Sequence, residues 1–324
     1  MNLNENVREV VSPLEEESSS PPNAFTLSTS ATVALILSML IVGVSFGAVA
    51  PLVSAILENR GFSEYFTGSV TATLSLAVAL SSPWVGKLVE RHGTRRINVL
   101  GVSGQALGFA GLGLALATNE VLLFPVRFGL GMAATMTFIA TEVALLRGVA
   151  EAVRGRVMAA YGSGFAIGFM LGVFASDLTY EWLGLWCFAL VAAIAALFVP
   201  LAWRGMRGKI GEPMSSLHEG VRRDANGVRL HWSPLWMALF GAVVFGALDT
   251  AISGTYPVEG QRLGMTRSET LRIVGIMAFG MVAGQPFAGW LADKFGARRP
   301  IAAVTIFGML CCFAAGVVSQ RLAG

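Results

Sequence analysis

Long apolar runs separated by short charged stretches make up most of the chain. No Asp, Glu, Lys or Arg occurs from Ser18 to Leu57, whereas about 20 apolar residues are enough to cross a bilayer as a helix. The same pattern predicts nine membrane helices, at 31–57, 66–89, 97–117, 121–146, 157–176, 182–203, 233–258, 271–292 and 300–320. We therefore predict an all-α polytopic membrane protein.

The composition excludes other classes of protein. Only 13% of the 324 residues are charged and 54% are hydrophobic, whereas a soluble protein carries about a quarter charged residues. Cys187, Cys311 and Cys312 lie in apolar runs without the spacing of a disulfide framework or metal site. We expect no metal, no cofactor and, since the net charge is only +3, no nucleic-acid partner.

The placement of basic residues predicts the orientation. Of the 23 Lys and Arg residues, 17 lie in the N-terminal tail or after an even-numbered span, and basic loops favour the cytoplasm. We expect a multi-pass protein of the cytoplasmic membrane with its N-terminus inside. The predicted parts are a disordered cytoplasmic tail (1–30), a six-helix half (31–203), a cytoplasmic linker (204–232) and a half with three helices (233–324).

Two charged loops of the chain are copies of each other. GKLVERHGTRR begins at position 86, and GWLADKFGARR begins at position 289. The match continues without gaps to Pro83 and Pro286, and to Gly61 and Gly264. A repeat displaced by six helices has the same orientation in both halves, as in transporters that place their substrate between two parallel repeats.

The doubled loop resembles the signature loop of the major facilitator superfamily. RFGLG at 127–131 is similar to the family's motif in the fourth helix, and Gly164, Gly168 and Gly172 fall where antiporter members carry a Gly-rich packing motif. The resemblance implies a fold of two parallel six-helix repeats, of which the second is incomplete here because the family has about twelve helices. It also implies a secondary transporter.

The resemblance assigns a gating role to the loops. Glu90 is expected near the N-terminus of a helix of the other half, where it would hold the inward-facing side shut. The residues of the first gate are Gly86, Glu90, Arg91, Gly93, Arg95, Arg96 and Glu142. Their counterparts in the second loop are Gly289, Asp293, Lys294, Gly296 and Arg298. The alternative for both loops is a topology anchor without a gating role.

Two ionisable residues within predicted spans are candidates for coupling proton movement to solute transport. Charges inside a bilayer are costly, so such residues are expected to have a function. We expect Asp249 to be a titrating acid and Arg127 to be its partner or a substrate anchor; the alternative is a fixed salt bridge between helices. Four further polar residues could either line the cavity or bond across helices. They are Gln105, Tyr161, Tyr256 and Gln285.

The predicted function is movement of a small solute by alternating access, coupled to protons, with efflux preferred over uptake. No set of catalytic residues lies at one depth of the predicted bundle, so we expect no enzyme. The alternative is a non-transporting sensor, assembly partner or inactive fragment, because three helices of the family's twelve are absent. A natural nine-helix form would need a partner chain to complete the second half.

Overall fold

The computed structural model describes residues 29–149, 151–206, 246, 251–296, 299, 302–311 and 313. Within these residues the secondary structure is helical and contains no strand. Seven of the described helical segments are long and apolar enough to cross a membrane. The prediction of an all-α polytopic membrane protein is confirmed.

The described helices follow the predicted spans in order. They are α1 Thr29–Asn59, α2 Glu64–His92, α3 Thr94–Thr118, α4 Leu123–Gly148, α5 Glu151–Leu183, α6 Trp186–Leu197, α7 Val199–Gly205, α8 Tyr256–Arg262, α9 Arg267–Phe295 and α10 Ala302–Cys311. A 3₁₀ turn at Glu120–Leu122 precedes α4, and a π-turn at Ala251–Thr255 precedes α8.

Several predicted boundaries were wrong. The fifth span was predicted at 157–176, but α5 runs to Leu183, because a helix continues past the last apolar turn into charged residues. The sixth span was predicted as one helix over 182–203. Instead, a turn with positive φ at Gly184 separates α5 from α6, and α6 ends before Pro200, which has no N–H to continue the helical bonding. Part of the seventh and ninth spans lies outside the described residues.

The sequence repeat extends to the backbone of α2 and α9. Both helices have 29 residues, and both end at a glycine in the left-handed region, Gly93 with φ 84° and Gly296 with φ 74°. Gly61 and Gly264 before the two helices also have positive φ, 78° and 89°. Non-glycine residues rarely adopt this conformation, so the glycines of the repeat specify two equivalent turns.

Helices α1 and α5 run parallel in backbone contact. A Cβ at Gly168 would lie 2.7 Å from the carbonyl carbon of Leu40, and one at Gly172 would lie 2.8 Å from the nitrogen of Ala48. Gly164 lies against Ile36 in the same way, at 3.0 Å from its carbonyl oxygen. Within a bilayer the hydrophobic effect does not drive helices together, because lipid tails are also apolar. Small residues let the helix backbones approach closely enough to gain van der Waals contact instead.

The opposite side of α5 packs antiparallel against α9. A Cβ at Gly162 would lie 2.8 Å from Oε1 of Gln285, and one at Gly289 would lie 2.9 Å from the Cβ of Ala159. Near the other end, Leu271 of α9 joins the buried apolar cluster of α1 to α6. Helix α5 therefore contacts both halves of the repeat.

Helices α3 and α4 are joined by buried polar side chains. Gln105 donates a hydrogen bond to Oγ1 of Thr137 at 2.9 Å, and Thr141 donates to Oδ1 of Asn98 at 3.5 Å. All four side chains are buried. For Gln105 the structure thus favours the helix-bonding alternative.

Candidate functional site

The bundle has two ends with different chemistry. We call the end at which α2 and α9 terminate the basic end, since it carries the repeated loops. We call the end at which α1 terminates and α9 begins the ion-pair end. The described residues place cross-bundle ion pairs at one end and a large cavity toward the other.

Arg262 of α8 joins the first two helices at the ion-pair end. Its Nε lies 3.0 Å from Oε1 of Glu58 at the end of α1, and its Nη1 contacts the carboxylate of Glu64 at the start of α2. The Arg262 side chain is 34% exposed. One guanidinium therefore connects α8 to both α1 and α2.

Arg267 makes an equivalent connection between α9 and α5. Its Nε lies 3.3 Å from Oδ1 of Asp177, its Nη2 lies 3.8 Å from Glu181, and its guanidinium carbon lies 4.6 Å from the centre of the Tyr180 ring. In the sequence, Arg262 and Arg267 belong to the minority of basic residues outside the tail and the loops after even-numbered spans. Their partners could not be identified from local sequence.

A third ion pair at this end lies within the first four helices. Nη1 of Arg60 lies 2.7 Å from Oε1 of Glu120 and also donates to the carbonyl oxygen of Leu116 at 2.7 Å. This pair joins the end of α1 to the α3–α4 connection. It does not cross to α8 or α9, and so offers a control for the pairs that do.

A cavity with a volume of about 710 Å³ lies between α1, α5 and α9 toward the basic end. Its walls are mostly apolar, with Ile36 and Leu40 from α1 and Trp290 from α9. Among the described lining residues, the charged ones are Arg156 of α5 and Lys294 of α9. A cavity of this size suits a drug-sized ligand.

Arg127 lies in the interior of the first four helices. Its side chain is 1% exposed, and its Nε and Nη2 have no hydrogen-bond partner among the described residues. It borders a narrow cavity shared with Phe46 and Leu74, in which only about 10 Å³ is open to the centre of a water molecule. That is room for about one water. Asp249, its expected partner, lies outside the described residues.

The first loop packs against α4 and α7. The guanidinium carbon of Arg95 lies 3.6 Å from the centre of the Trp203 ring, and Glu90 is in electrostatic range of Arg147 at the end of α4. Arg91 and Arg96 are exposed. The described electrostatic partner of Glu90 thus belongs to the first six helices, not to the other half.

Gly86 and Glu142, also assigned to the first gate, belong to α2 and α4. A Cβ at Gly86 would meet nothing within 4 Å. Glu142 is exposed on α4 and lies in electrostatic range of Tyr161 on α5. The Tyr161 hydroxyl is buried without a hydrogen-bond partner in the described part of the chain, while the Tyr256 hydroxyl lies 3.9 Å from the sulfur of Met265.

The second loop is described in part. Gly289 packs on α5, Gly296 ends α9, and the Lys294 ammonium lies 5.0 Å from the centre of the Trp290 ring. Asp293 belongs to α9, but its side chain is not among those described, and Arg298 lies outside the described residues.

In the described part of the chain, seven helices of membrane length and a cavity between α1, α5 and α9 accompany the internal repeat, as expected for a polytopic membrane protein of the transporter class. A family model described as Major Facilitator Superfamily matches residues 35–322. The chain belongs to this superfamily, whose members are transporters and not enzymes. The resemblance seen in the repeated loops is therefore confirmed.

Two relatives show the same family relationship. The chain is 28% identical over 290 residues to the Uncharacterized MFS-type transporter YfkF of Bacillus subtilis, covering 87% of this chain and 71% of the relative. It is 26% identical over 250 residues to the Uncharacterized MFS-type transporter YcaD of Escherichia fergusonii, covering 76% of this chain and 59% of the relative. The chain thus spans less than the full length of either relative.

Proposed function

We propose that the chain acts in secondary active transport, moving a small solute across the cytoplasmic membrane by alternating access. The observation that carries this proposal is the asymmetry of the bundle. Arg262 and Arg267 tie the helices together at the ion-pair end, while a cavity of about 710 Å³ lies between α1, α5 and α9 toward the basic end. This asymmetry supports the proposal of a transporter that is closed at the ion-pair end and open toward the basic end.

The orientation belongs to the same proposal. Basic residues are retained on the cytoplasmic side, and the basic end carries both repeated loops. The cavity would then face the cytoplasm, and the N-terminus would lie inside. A cytoplasm-facing cavity would load solute in efflux and release it in uptake, so the preference for efflux rests on the resemblance to antiporter members alone.

Proton coupling rests on Asp249 and Arg127. A buried acid loses its proton more readily when a guanidinium is near and holds it more tightly when the guanidinium moves away. Arg127 is buried with two nitrogens unpartnered among the described residues, so it is available to a carboxylate. The proposed cycle alternates between these two states of Asp249.

The Glu90 and Asp293 loops are proposed as the gate at the basic end. In the cavity-open state Glu90 interacts with Arg147 of α4. Closure of the basic end would bring the loops of the two repeats closer together, and the ion-pair end would open. The glycines that end α2 and α9 allow the tight turns that such loops need.

Labelling of a single cysteine tests alternating access without knowledge of the solute. In a background with the three native cysteines changed to serine, Ser163→Cys places a thiol in the cavity wall. We expect a membrane-impermeant maleimide to label it from the cytoplasmic side of inside-out vesicles and only slowly from the other side. Equally rapid labelling from both sides would contradict a one-sided cavity.

A flux experiment tests coupling. Proteoliposomes with an internal pH-sensitive dye are given naphthalenesulfonate or naphthylmethyl-trimethylammonium, two membrane-impermeant amphiphiles of opposite charge. Proton movement on addition of one of them is the expected result, and Asp249→Asn should abolish it while leaving expression intact. Undiminished proton movement in Asp249→Asn would refute the role of this residue; no flux of either probe would favour the sensor or assembly role.

A further inference from the structure

The cavity between α1, α5 and α9 has an apolar body. Ile36 and Leu40 of α1 form one wall, Ile167 of α5 forms the second, and Trp290 of α9 forms the third. Trp290 is 53% exposed, so part of its indole ring is available for contact with a ligand. A planar or aliphatic group of a ligand would be removed from water here, at a gain of about 25 cal/mol for each Å² of apolar area buried.

The charged side chains among the described lining residues of the cavity are all basic. Arg156 and Lys294 approach it from opposite helices, and both are exposed. Neither side chain forms an ion pair with a carboxylate among the described residues. The described lining residues include no acid. An anion that enters the cavity would therefore meet two cations, and no carboxylate among the described residues would compete with it for them.

The position of the charges relative to the apolar wall restricts the ligand further. The Lys294 ammonium lies 5.0 Å from the centre of the Trp290 ring, a distance at which the ring attracts and orients the cation. A ligand stacked on Trp290 would thus have its polar end beside Lys294. Ser163, on the same helix as Arg156, adds a hydroxyl donor to the lining.

We propose that this cavity binds an amphipathic anion, with a ring or chain against Trp290 and the α1 wall and a sulfonate, carboxylate or similar group between Arg156 and Lys294. The inference rests on the proposed transport function, because it names the class of solute that would be moved. It commits to a solute that enters from water. An anionic phospholipid shares the same chemistry and is treated as the competing occupant.

Equilibrium binding tests the proposal without requiring transport. The full chain is placed in nanodiscs of phosphatidylcholine, and binding of tritiated naphthalenesulfonate is measured by scintillation proximity. Naphthylmethyl-trimethylammonium serves as the cation of similar ring size. The test variant is Arg156→Gln/Lys294→Gln. The control is Lys87→Gln/Arg154→Gln, which also removes two exposed positive charges on α2 and α5 but none from the cavity lining.

We expect saturable binding of naphthalenesulfonate, weakened at least about tenfold in the test variant, which corresponds to about 1.4 kcal/mol. The control variant should bind within about twofold of the parent, since its charges lie outside the cavity and are screened by salt. The cationic probe should not displace the sulfonate. Trp290→Leu, which leaves both cations in place, should also weaken binding because the ring face is lost.

Three results would overturn the proposal. The cationic probe could bind as well as the sulfonate, or the control variant could lose as much affinity as the test variant. Anionic phosphatidylglycerol in the disc could also abolish sulfonate binding, which would assign the cavity to lipid. Loss of selective binding with intact one-sided labelling of Ser163→Cys would reject the solute class alone, whereas loss of one-sided labelling would reject alternating access itself.

Discussion

Substitution of Gly168 by alanine tests the close contact of α1 and α5. An added Cβ would lie 2.7 Å from the carbonyl carbon of Leu40 and 2.9 Å from the nitrogen of Val44. Both neighbours are backbone atoms, which cannot turn away as a side chain can. Since carbon contacts are most favourable at about 3.5–4.0 Å, the helices would have to separate by about 1 Å.

The cost of the steric clash at Gly168 can be separated from the helix preference of alanine by comparison with a glycine elsewhere in the bundle. Alanine is favoured over glycine in a helix interior by about 1 kcal/mol, and overpacking costs about 1–3 kcal/mol. Gly68 lies within α2, and a Cβ there would meet nothing within 4 Å. The helix preference is shared by both substitutions, so Gly168→Ala should be less stable than Gly68→Ala by the overpacking cost alone, about 1–3 kcal/mol.

The melting temperature of each detergent-solubilised variant is measured by size-exclusion chromatography after heating. Titration with SDS gives the free energy of unfolding. Gly164→Ala should fall between the other two variants, because its Cβ would lie 3.0 Å from the Ile36 carbonyl oxygen. Gly168→Ala melting at the same temperature as Gly68→Ala would refute the reasoning. It would mean that α1 and α5 can separate without loss of stability.

Arg262→Gln should raise the rate at which impermeant maleimide labels Ser54→Cys, a buried position near the end of α1, because α8 is released from its partners. Arg60→Gln, the control, should leave this rate unchanged. Both substitutions should change the free energy of unfolding by less than about 1 kcal/mol, as the loss of exposed ion pairs does. Equal labelling rates in the two variants would contradict a closure made by Arg262. The Arg127→Met variant should melt at or above the temperature of the parent protein, because a buried cation without a described partner is replaced by an apolar side chain. The same variant should lose solute flux in proteoliposomes. Full flux would exclude Arg127 from proton coupling. Gly93→Ala should lower the free energy of unfolding by about 1–3 kcal/mol, since a φ of 84° is strained for alanine, and an unchanged melting temperature would argue against a strained turn at that position.

The membrane helices were predictable because a bilayer allows few structures. Backbone groups in hydrocarbon must bond within their own segment, so the length of an apolar run nearly determines a helix. The repeat was also readable, since Gly93 and Gly296 carry the same backbone requirement in both copies. Helix ends were less predictable: α5 continues to Leu183 because leaving the bilayer does not require a helix to stop.

The ion pairs and the cavity could not be predicted in the same way. Arg262 and Glu58 are separated by 204 positions, and nothing local to either residue selects the other from the remaining charges. In the sequence, Arg156 is one of many basic residues near the end of an apolar run, and only the packing of α5 against α9 places it in the same cavity lining as Trp290. Orientation charges and ligand-facing charges look alike in a sequence, because both lie near the ends of apolar runs.

The π-turn Ala251–Thr255 determines how α8 is wound before it reaches Arg262. Such a turn accommodates one residue more than an α-helical turn and is frequent at functional positions. Rewinding it to α-helical geometry would rotate everything beyond it by about 100° about the helix axis. Arg262 would then be carried away from Glu58 and Glu64 together. Both carboxylates could therefore be released by a change in helical pitch at Ala251–Thr255.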